Sequence, residues 1–581
     1  MTLPGQPPSH EDDDDDAQPR GGVRHVVADA LAPAVISARQ AFGALVRERY
    51  QPNLRLFITE REATVWFFAL VIGVSVGFAA LGFRLAIGAI QWLWLGTVAE
   101  EEVASAAREV HWLVVLLVPA FGGLIVGQIL TRYMPGRRAH GVADVIEARA
   151  IRDCNIPTRE GMLSAVVAAI SLGTGNSSGR EGPVVHLGAT LASIIENYTS
   201  LPPSARRTLL ACGVGAAVSA SFNAPIAGVL FAHEVILAHF AMSAFVPIVI
   251  ASVAGTLIVR MFFGDTPAFL IPNYEITSYL EFPAFALLGA VCALTAILFQ
   301  SSLIMTERIA WSIRIPLSMR PVIGGLLVGM IAIAFPEVLG VGYEATNMAL
   351  QQDTRLGIAM LIALLMAKTV ATSITLASRF GGGIFSPSLY LGAMTGSAFG
   401  LIAASVFPEV ASSGGLYAIL GMGAVASAVL GAPISTAMVV FELTGGYAMT
   451  IALLVTVAIS NGLTHAVHGE SFFHWQLSTR GLFLHEGPHQ EITRRMMVRS
   501  FMTPLKTDET PDKLEASAEQ QWLLETDTLD AALRLFDRSG RHRLPIVAPT
   551  DRQIVIGWAD HFEALHAFNK ALIESHREEH R

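Results

Sequence analysis

Between residues 65 and 466 the chain is a succession of apolar segments, and several of them are too short to cross a membrane. A helix needs about 20 residues to span the roughly 30 Å hydrocarbon core. The segments, separated by Gly, Pro or short polar turns, are 65–96, 112–130, 141–151, 160–174, 183–197, 208–220, 224–239, 244–262, 283–304, 321–335, 355–378, 385–406, 414–430, 432–443 and 448–466. Interrupted helices are tolerated at membrane depth only where they are buried in protein or line a cavity. The pattern therefore predicts an all-α polytopic membrane protein of the channel or transporter kind.

The composition agrees with a chain that lies largely in a membrane. Of its 581 residues, 52% are hydrophobic and 15% are charged, and the mean hydropathy is +0.51; soluble domains carry about 25% charged residues. The net charge of −9 does not indicate a nucleic-acid partner, because the run Asp12–Asp16 alone supplies five negative charges. The three cysteines, Cys154, Cys212 and Cys292, have no CxxC spacing, so neither disulfides nor zinc ligands are expected.

The N-terminal region is polar and divides into two parts. Residues 1–27 are acidic and rich in Pro and Gly, a composition typical of disorder. Residues 28–62 are predicted to form an amphipathic helix region against the membrane. Seven arginines precede the first apolar segment: Arg20, Arg24, Arg39, Arg47, Arg49, Arg55 and Arg61. Because basic residues accumulate on the cytoplasmic side of membrane spans, the N-terminus is predicted to be cytoplasmic.

A glycine-rich stretch inside the apolar region reads Gly179-Arg180-Glu181-Gly182-Pro183. An ionisable residue within a membrane costs several kcal/mol and by default indicates a functional site. Pro183 and the apolar run after it predict a helix that begins here. A helix start on a glycine turn presents free N–H groups and the positive end of the helix dipole, which is an anion site. A tight interhelical turn with an incidental ion pair is the alternative.

An internal repeat relates two parts of this region. The stretch GREGPVVHLGA at 179–189 aligns with GIFSPSLYLGA at 383–393, and GVGAAVSASFNAPIAGVLFAHEV at 213–235 aligns with GMGAVASAVLGAPISTAMVVFEL at 421–443. Corresponding Gly- and Pro-interrupted segments in two halves indicate a binding site near the membrane midplane. If the repeats are inverted, two helix N-termini converge from opposite leaflets, and the substrate is an anion.

The sequence becomes charged and polar after Gly481, so residues 63–481 are predicted to form the transmembrane domain and residues 482–581 a soluble one. Residues 524–570 follow the pattern helix, strand, turn, strand, helix. Thr528 or Asp527 is the expected cap of the first helix. Its apolar face consists of Leu529, Ala532, Leu533 and Phe536.

These motifs resemble those of the CLC family of chloride channels and chloride/proton antiporters. The resemblance covers about residues 65–480 and rests on GREGP at 179–183, GGIFSP at 382–387 and FNAPIAGVLFAHE at 222–234. It implies inverted repeats of broken, tilted helices, one chloride pore per subunit, and a homodimer in the lipid bilayer. It also implies no enzymatic activity, no cofactor, a plasma (inner) membrane location and cytoplasmic termini.

Carried onto this sequence, the resemblance assigns the gate to Glu181. In the family this carboxylate occupies an anion site and swings away on protonation. The physics agrees, because a carboxylate competes with chloride for helix N-terminal donors only while it is charged. The other anion-binding positions that the resemblance implies here are Gly179, Arg180, Gly182, Gly383, Ile384 and Phe385.

Two histidines stand where the family usually has hydroxyls. The family's Gly-Ser-Gly-Ile-Pro motif corresponds to residues 139–143, so His140 replaces the serine; by a looser alignment, the coordinating tyrosine falls near His474. An imidazole gains positive charge near pH 6.5. The hypothesis is that anion binding strengthens as pH falls, beyond the effect of Glu181, unless these rings point into the protein.

A third departure concerns protons. Family antiporters usually carry a second, intracellular glutamate, and the matching position here is Val235. Valine cannot carry a proton, which favours a passive chloride channel over a chloride/proton antiporter. His233 and Glu234 are the neighbouring candidates to take the place of that glutamate.

The C-terminal domain resembles a CBS module, of which the sequence shows one copy. Such modules often bind adenine nucleotides through an acid and a hydroxyl. GWADHFEAL at 557–565 offers Asp560 and Glu563 but no hydroxyl. Nucleotide binding is therefore not expected, and pairing of the copies across the dimer is the favoured role.

Two rival functions fit the sequence less well. An intramembrane metalloprotease requires HExxH, with two zinc-binding histidines on one helix face, whereas His233 and His239 are six residues apart. A magnesium transporter requires clustered acids in its membrane core, and this core is instead rich in glycine turns. No metal site is expected.

Overall fold

This computed structural model describes residues 42, 44–51, 62–199, 201–265, 269, 276–444, 447–482, 493, 496–505, 522–548 and 554–580. The acidic segment 1–27 lies outside the described residues, as does most of 28–62. In the first 64 residues, a π-helical turn occupies Val46–Tyr50. The predictions of disorder and of an amphipathic helix therefore stay predictions.

Eighteen helices are described in the apolar region. They are α1 Glu62–Leu95, α2 Val103–Glu109, α3 Trp112–Tyr133, α4 Val142–Ile151, α5 Thr158–Gly173, α6 Glu181–Asn197, α7 Pro203–Phe222, α8 Pro225–Phe231, α9 Met242–Phe263, α10 Phe282–Ser312, α11 Arg320–Ala334, α12 Tyr343–Leu350, α13 Ile358–Ala377, α14 Phe385–Val406, α15 Gly414–Leu430, α16 Pro433–Thr444, α17 Tyr447–His468 and α18 Phe472–Ser478. A π-helical turn, Ala232–Leu237, continues α8. The predicted apolar segments all correspond to helices, which confirms an all-α membrane protein.

Several helices are too short to span a bilayer, as predicted. At 1.5 Å per residue, the 10 residues of α4 reach about 15 Å, half of the hydrocarbon thickness. Seven helical stretches of the described chain are long and apolar enough to cross a membrane. The shorter helices cannot cross the bilayer alone and depend on packing against the rest of the protein.

The two halves repeat one helical order. Eight helices of the first half, α1 and α3–α9, correspond by their order along the chain to α10–α17 of the second half. Where the halves meet, Gly179 and Gly383 pair as an antiparallel bridge, as expected for segments that run in opposite directions. The fold is thus the predicted pair of inverted repeats.

Matching glycines allow close helix packing in both halves. A Cβ on Gly188 would lie 2.4 Å from the carbonyl oxygen of Gly213, and a Cβ on Gly392 would lie 2.3 Å from that of Gly421. These two contacts join α6 to α7 and α14 to α15. Because a side chain would force the backbones apart, the glycines fix the helices that carry the N-termini of interest.

The C-terminal region contains a small sheet with the predicted helix and strands. Its strands, β1 Thr503–Pro504, β2 Leu523–Leu524, β3 Arg543–Val547 and β4 Val555–Asp560, lie in the order β1-β4-β3-β2. Strand β4 is antiparallel to both neighbours, and β2 is parallel to β3. Helix α19, Leu529–Ser539, begins at Thr528, whose side chain accepts from the Ala531 N–H at 3.3 Å. Helix α20, His561–His580, follows β4.

Candidate anion pathway

The pathway is organised around the bridge between the two repeats. The Gly179 N–H donates to the Gly383 carbonyl at 2.7 Å, and the Gly383 N–H donates to the Gly179 carbonyl at 2.7 Å. Helix α6 begins at Glu181 and α14 at Phe385, so two helix N-termini start beside this bridge. A Cβ on Gly383 would lie 3.0 Å from the Gly182 nitrogen, so the close approach requires glycine. The predicted convergence is confirmed.

The Glu181 side chain is buried at this junction, with 1% of the residue exposed. Its Oε1 accepts a hydrogen bond from the Tyr343 hydroxyl at 3.0 Å and another from the Ser386 hydroxyl. Its Oε2 has no hydrogen-bond partner among the described residues. The gate residue implied by the resemblance therefore lies between the repeats and is held by side chains distant in sequence.

Arg180 is also buried and points into a charged network. Its guanidinium forms an ion pair with Glu100 and donates to the Ser221 carbonyl at 3.2 Å. It also lies over the Tyr343 ring, 5.2 Å from the centroid, while its Nε is 4.0 Å from Glu181 Oε1. The charge of Arg180 is therefore largely neutralised by Glu100. The Arg180 guanidinium also packs against the ring of Tyr343, whose hydroxyl donates to Glu181.

A cavity of about 600 Å³, the main cavity, has both Glu181 and Arg480 in its wall. Gly182, Gly383, Ile384 and Phe385 line it together with Glu181. Its arginines are Arg138, Arg308, Arg379 and Arg480, and its other acids are Asp144 and Glu307. The excess of positive charge raises the local concentration of small anions.

A much smaller pocket of about 50 Å³, the small pocket, includes Tyr343 and Arg180 in its wall. It shares no lining residue with the main cavity. Glu181 lines the main cavity, and its hydrogen-bond partner Tyr343 lines the small pocket. The Glu181–Tyr343 contact therefore separates the two spaces.

His140 lies in the wall of the main cavity, as the resemblance implied, but its ring faces other side chains. Its Nε2 is 3.9 Å from Glu160 Oε2, and the ring packs edge-to-face against His186 at 5.4 Å between centroids. Burial lowers the pKa of the His140 imidazole. Any pH effect from this ring is therefore expected at more acidic pH than an ordinary histidine would give.

The nearby N-terminus of α4 is already occupied by a carboxylate. Asp144 accepts from the Gly141 N–H at 2.9 Å and from the Arg480 guanidinium at 3.0 Å, and it is paired with Arg138. This helix end is thus filled within the protein.

The structure places His474 beside the residues that line the main cavity. Phe472, Phe473, Trp475 and Gln476 line the main cavity, whereas His474 does not. Its Nδ1 instead pairs with the Ser471 hydroxyl at 2.8 Å. Adjacent residues of a helix differ by about 100° in direction, so a shift of one residue in the loose alignment would select Phe473 or Trp475 instead; the role of His474 stays a prediction.

Glu234 is committed to a structural role. Its carboxylate accepts from the N–H groups of Ile434 at 2.9 Å and Ser435 at 2.8 Å, at the start of α16. The repeat-related Glu442 accepts in the same way from Ile226 at 3.0 Å and Ala227 at 2.7 Å, at the start of α8. Each half therefore caps a broken helix of the other.

His233 is likewise engaged within the protein. Its Nδ1 lies 3.1 Å from the His239 carbonyl oxygen, and its ring stacks on Phe240 and Phe245. In the part of the chain that the structure describes, no group of three or more His, Cys, Asp or Glu residues is arranged to hold a metal ion. These contacts give no support to a metalloprotease or magnesium site.

Arg379 is a residue that sequence reasoning missed. It lines the main cavity with a left-handed backbone, φ 72°, although it is not glycine. Its guanidinium lies 5.1 Å from the Trp311 ring centroid, and no described carboxylate is within ion-pair distance of it. Strained conformations of this kind concentrate at functional sites, so Arg379 is a candidate anion-attracting residue.

Tyr343 and Ser386 were missed as well, although one signal was available. Ser386 lies inside the GGIFSP motif, directly after Phe385, but the motif does not show where its side chain points. Tyr343 comes from a different helix, α12, and only the fold brings it to Glu181.

Known proteins are similar to this chain in architecture and in sequence. A family model described as "Voltage gated chloride channel" matches residues 122–465. The chain is 30% identical over 407 residues to the "Putative chloride channel protein ClcB-like" of Ralstonia nicotianae, which covers 69% of this chain and 94% of that protein. It is 26% identical over 444 residues to the "H(+)/Cl(-) exchange transporter ClcA" of Salmonella agona, with 74% and 92% covered.

A solved structure, that of a slow cyanobacterial Cl⁻/H⁺ antiporter, has the same fold. It superposes with a TM-score of 0.63 at 21% identity, covering 72% of this chain and 97% of that one. The family match spans the bridge, both helix N-termini and the reciprocal caps. The chain is therefore a multi-pass membrane protein that belongs to the CLC family of voltage-gated chloride channels.

Proposed function

We propose that the protein carries chloride passively across the membrane through one pore per subunit, gated by protonation of Glu181. The observation that carries this proposal is the placement of Glu181 at the junction of two helix N-termini, at the closed end of a positively charged cavity. A carboxylate there blocks the position that a chloride ion would take. Protonation removes the charge that holds it.

Passive conduction is favoured over coupled exchange by the side chains at the second proton position. Val235 carries no acid, and the adjacent Glu234 is fully used as a helix cap. Valine has no titratable group, and protonation of Glu234 would weaken its hydrogen bonds to the N–H groups at the start of α16. His233 is stacked and buried, which disfavours its charged form.

Chloride/proton antiport is the second candidate, and one observation favours it. Glu181 itself lines the main cavity, so a proton delivered by water can reach the gate without an acid at position 235. The solved relative named above is an antiporter, and so is the Salmonella relative by its name.

Reconstitution into liposomes with an outward chloride gradient distinguishes these functions. Passive conduction predicts chloride efflux that is set by membrane potential, with no uphill proton movement. Antiport predicts proton uptake against its gradient, driven by chloride alone. An ionic current that stays unchanged when an impermeant anion replaces chloride would contradict anion transport itself.

We further propose the orientation and assembly that the resemblance implies. The main cavity opens to the cytoplasm, because Arg480 in its wall leads directly into the C-terminal region. The N-terminal arginines support a cytoplasmic N-terminus in the plasma (inner) membrane. Two subunits associate in the bilayer, and the CBS-like regions pair with each other.

Replacing Arg379 by glycine is expected to slow chloride access from the main-cavity side with little effect on stability. Glycine relieves the left-handed backbone but adds chain entropy, so stability should change by less than about 1 kcal/mol. Loss of the cation should lower flux about two- to fivefold at low ionic strength and less at high salt. Flux is measured at several ionic strengths.

Arg137→Gly is the matched control. Arg137 also has a left-handed backbone, φ 50°, but it is exposed and does not line the main cavity. Its replacement should leave flux unchanged. An equal loss of flux in both variants would show that backbone change, rather than the cavity charge, is responsible.

A further inference from the structure

The Glu181 carboxylate is held by two hydroxyl groups that come from two different helices. Ser386 lies in the first turn of α14, and Tyr343 is the first residue of α12. Both donate to the same oxygen, Oε1. The other oxygen, Oε2, sits over Gly179, where a Cβ would lie only 2.8 Å away.

The Tyr343 hydroxyl is rigidly placed. Gly340 and Gly342, with φ of 56° and 89°, turn the chain immediately before it. Its ring packs edge-to-face on Phe269 at 4.9 Å and against the Arg180 guanidinium at 5.2 Å. The tyrosine is 3% exposed, so its hydroxyl is presented to Glu181 by packing alone.

We propose that Tyr343 and Ser386 form a latch that holds the charged Glu181 carboxylate in the closed position and sets the acidity at which the pathway opens. This inference rests on the proposed function, in which protonated Glu181 releases the path. Tyr343 and Ser386 are positioning residues that act through Glu181.

The physical basis is that hydroxyl donors favour a charged acceptor. Hydrogen bonds to an ionised carboxylate are about twice as strong as neutral ones, and they stabilise the ionised form against the protonated one. With both donors in place, more acid is needed to discharge and free Glu181. Removing either donor leaves the gate easier to release.

Charged and titratable groups lie on both sides of the contact between Glu181 and Tyr343. Arg180 is paired with Glu100, and the small pocket adds Arg84 and Glu101. On the main-cavity side the groups are Arg138, His140, Asp144, Glu307, Arg308, Arg379 and Arg480. Hydroxyl-deleting substitutions alter none of these charges, so a shift in pH dependence would report the latch.

The test is the pH dependence of chloride flux in liposomes for Tyr343→Phe and Ser386→Ala. Each variant is expected to move the midpoint of acid activation to higher pH by about one unit, because a hydrogen bond to a charged group contributes on the order of one pKa unit or more. Flux at neutral pH should rise severalfold. Ser386→Thr, which keeps a hydroxyl, should restore most of the original midpoint.

Tyr417→Phe is the matched control, since this buried tyrosine donates its hydroxyl to Glu281 at 2.8 Å, away from the pathway. Its midpoint should equal that of the unmodified protein. An unchanged midpoint in both latch variants would overturn the proposal, as would the same shift in a Glu181→Gln background. If Glu181→Gln itself leaves the pH dependence intact, the proposed gate fails, which is a distinct result.

Discussion

Glutamine at position 181 is expected to abolish the pH dependence of chloride flux. The amide keeps the size of the carboxyl but cannot carry a negative charge, so it cannot compete with chloride for the N–H groups at the starts of α6 and α14. Flux at neutral pH should rise to the level that the unmodified protein reaches in acid, on the order of tenfold or more. Any coupled proton movement should disappear.

Flux assays across pH 4.5–8 in liposomes provide the measurement. Glu307→Gln is a suitable control, because this acid also lines the main cavity but lies on α10, away from the bridge. Its replacement should preserve the acid activation. A Glu181→Gln profile that still rises in acid would assign the titrating group elsewhere, with His140 as the next residue to replace.

Glu234→Gln and Glu442→Gln are expected to have equal effects on stability and no effect on proton coupling. Each substitution removes a charge from a helix N-terminus and leaves one N–H without its acceptor. The expected loss is about 1–2 kcal/mol of folded-state stability for either variant. Thermal unfolding of the detergent-solubilised protein, together with chloride and proton flux, measures both properties.

The two variants serve as controls for each other because the repeat relates them. If Glu234 conducted protons, Glu234→Gln alone would lose proton movement, while Glu442→Gln would keep it. Equal destabilisation with unchanged ion coupling in both would establish that the two acids are caps. Unequal stability losses would contradict the reciprocal arrangement.

Local motifs predicted the centre of the site because its residues lie in two short, contiguous stretches of sequence. Gly179, Glu181 and Phe385 lie in or beside glycine-rich turns that begin helices, a pattern that can be recognised in the sequence. The repeat then predicted that the two turns meet. The antiparallel bridge confirms this at the level of individual hydrogen bonds.

Side chains contributed from a distance were not predictable in the same way. Tyr343 reaches Glu181 from 162 residues away, and no spacing rule connects them. Arg379 was identified as a candidate from its positive φ, which cannot be read from the sequence. His474 illustrates a third difficulty, since an uncertainty of one residue in a helical alignment changes the direction of the side chain by about 100°.

The reciprocal caps have a consequence for how the chain acquires its structure. Until Glu442 has been synthesised, the start of α8 lacks its acceptor, although the whole first half is already present. The first half therefore reaches its final hydrogen bonding only after the second half has been made, and the two caps connect the early part of the chain to the late part.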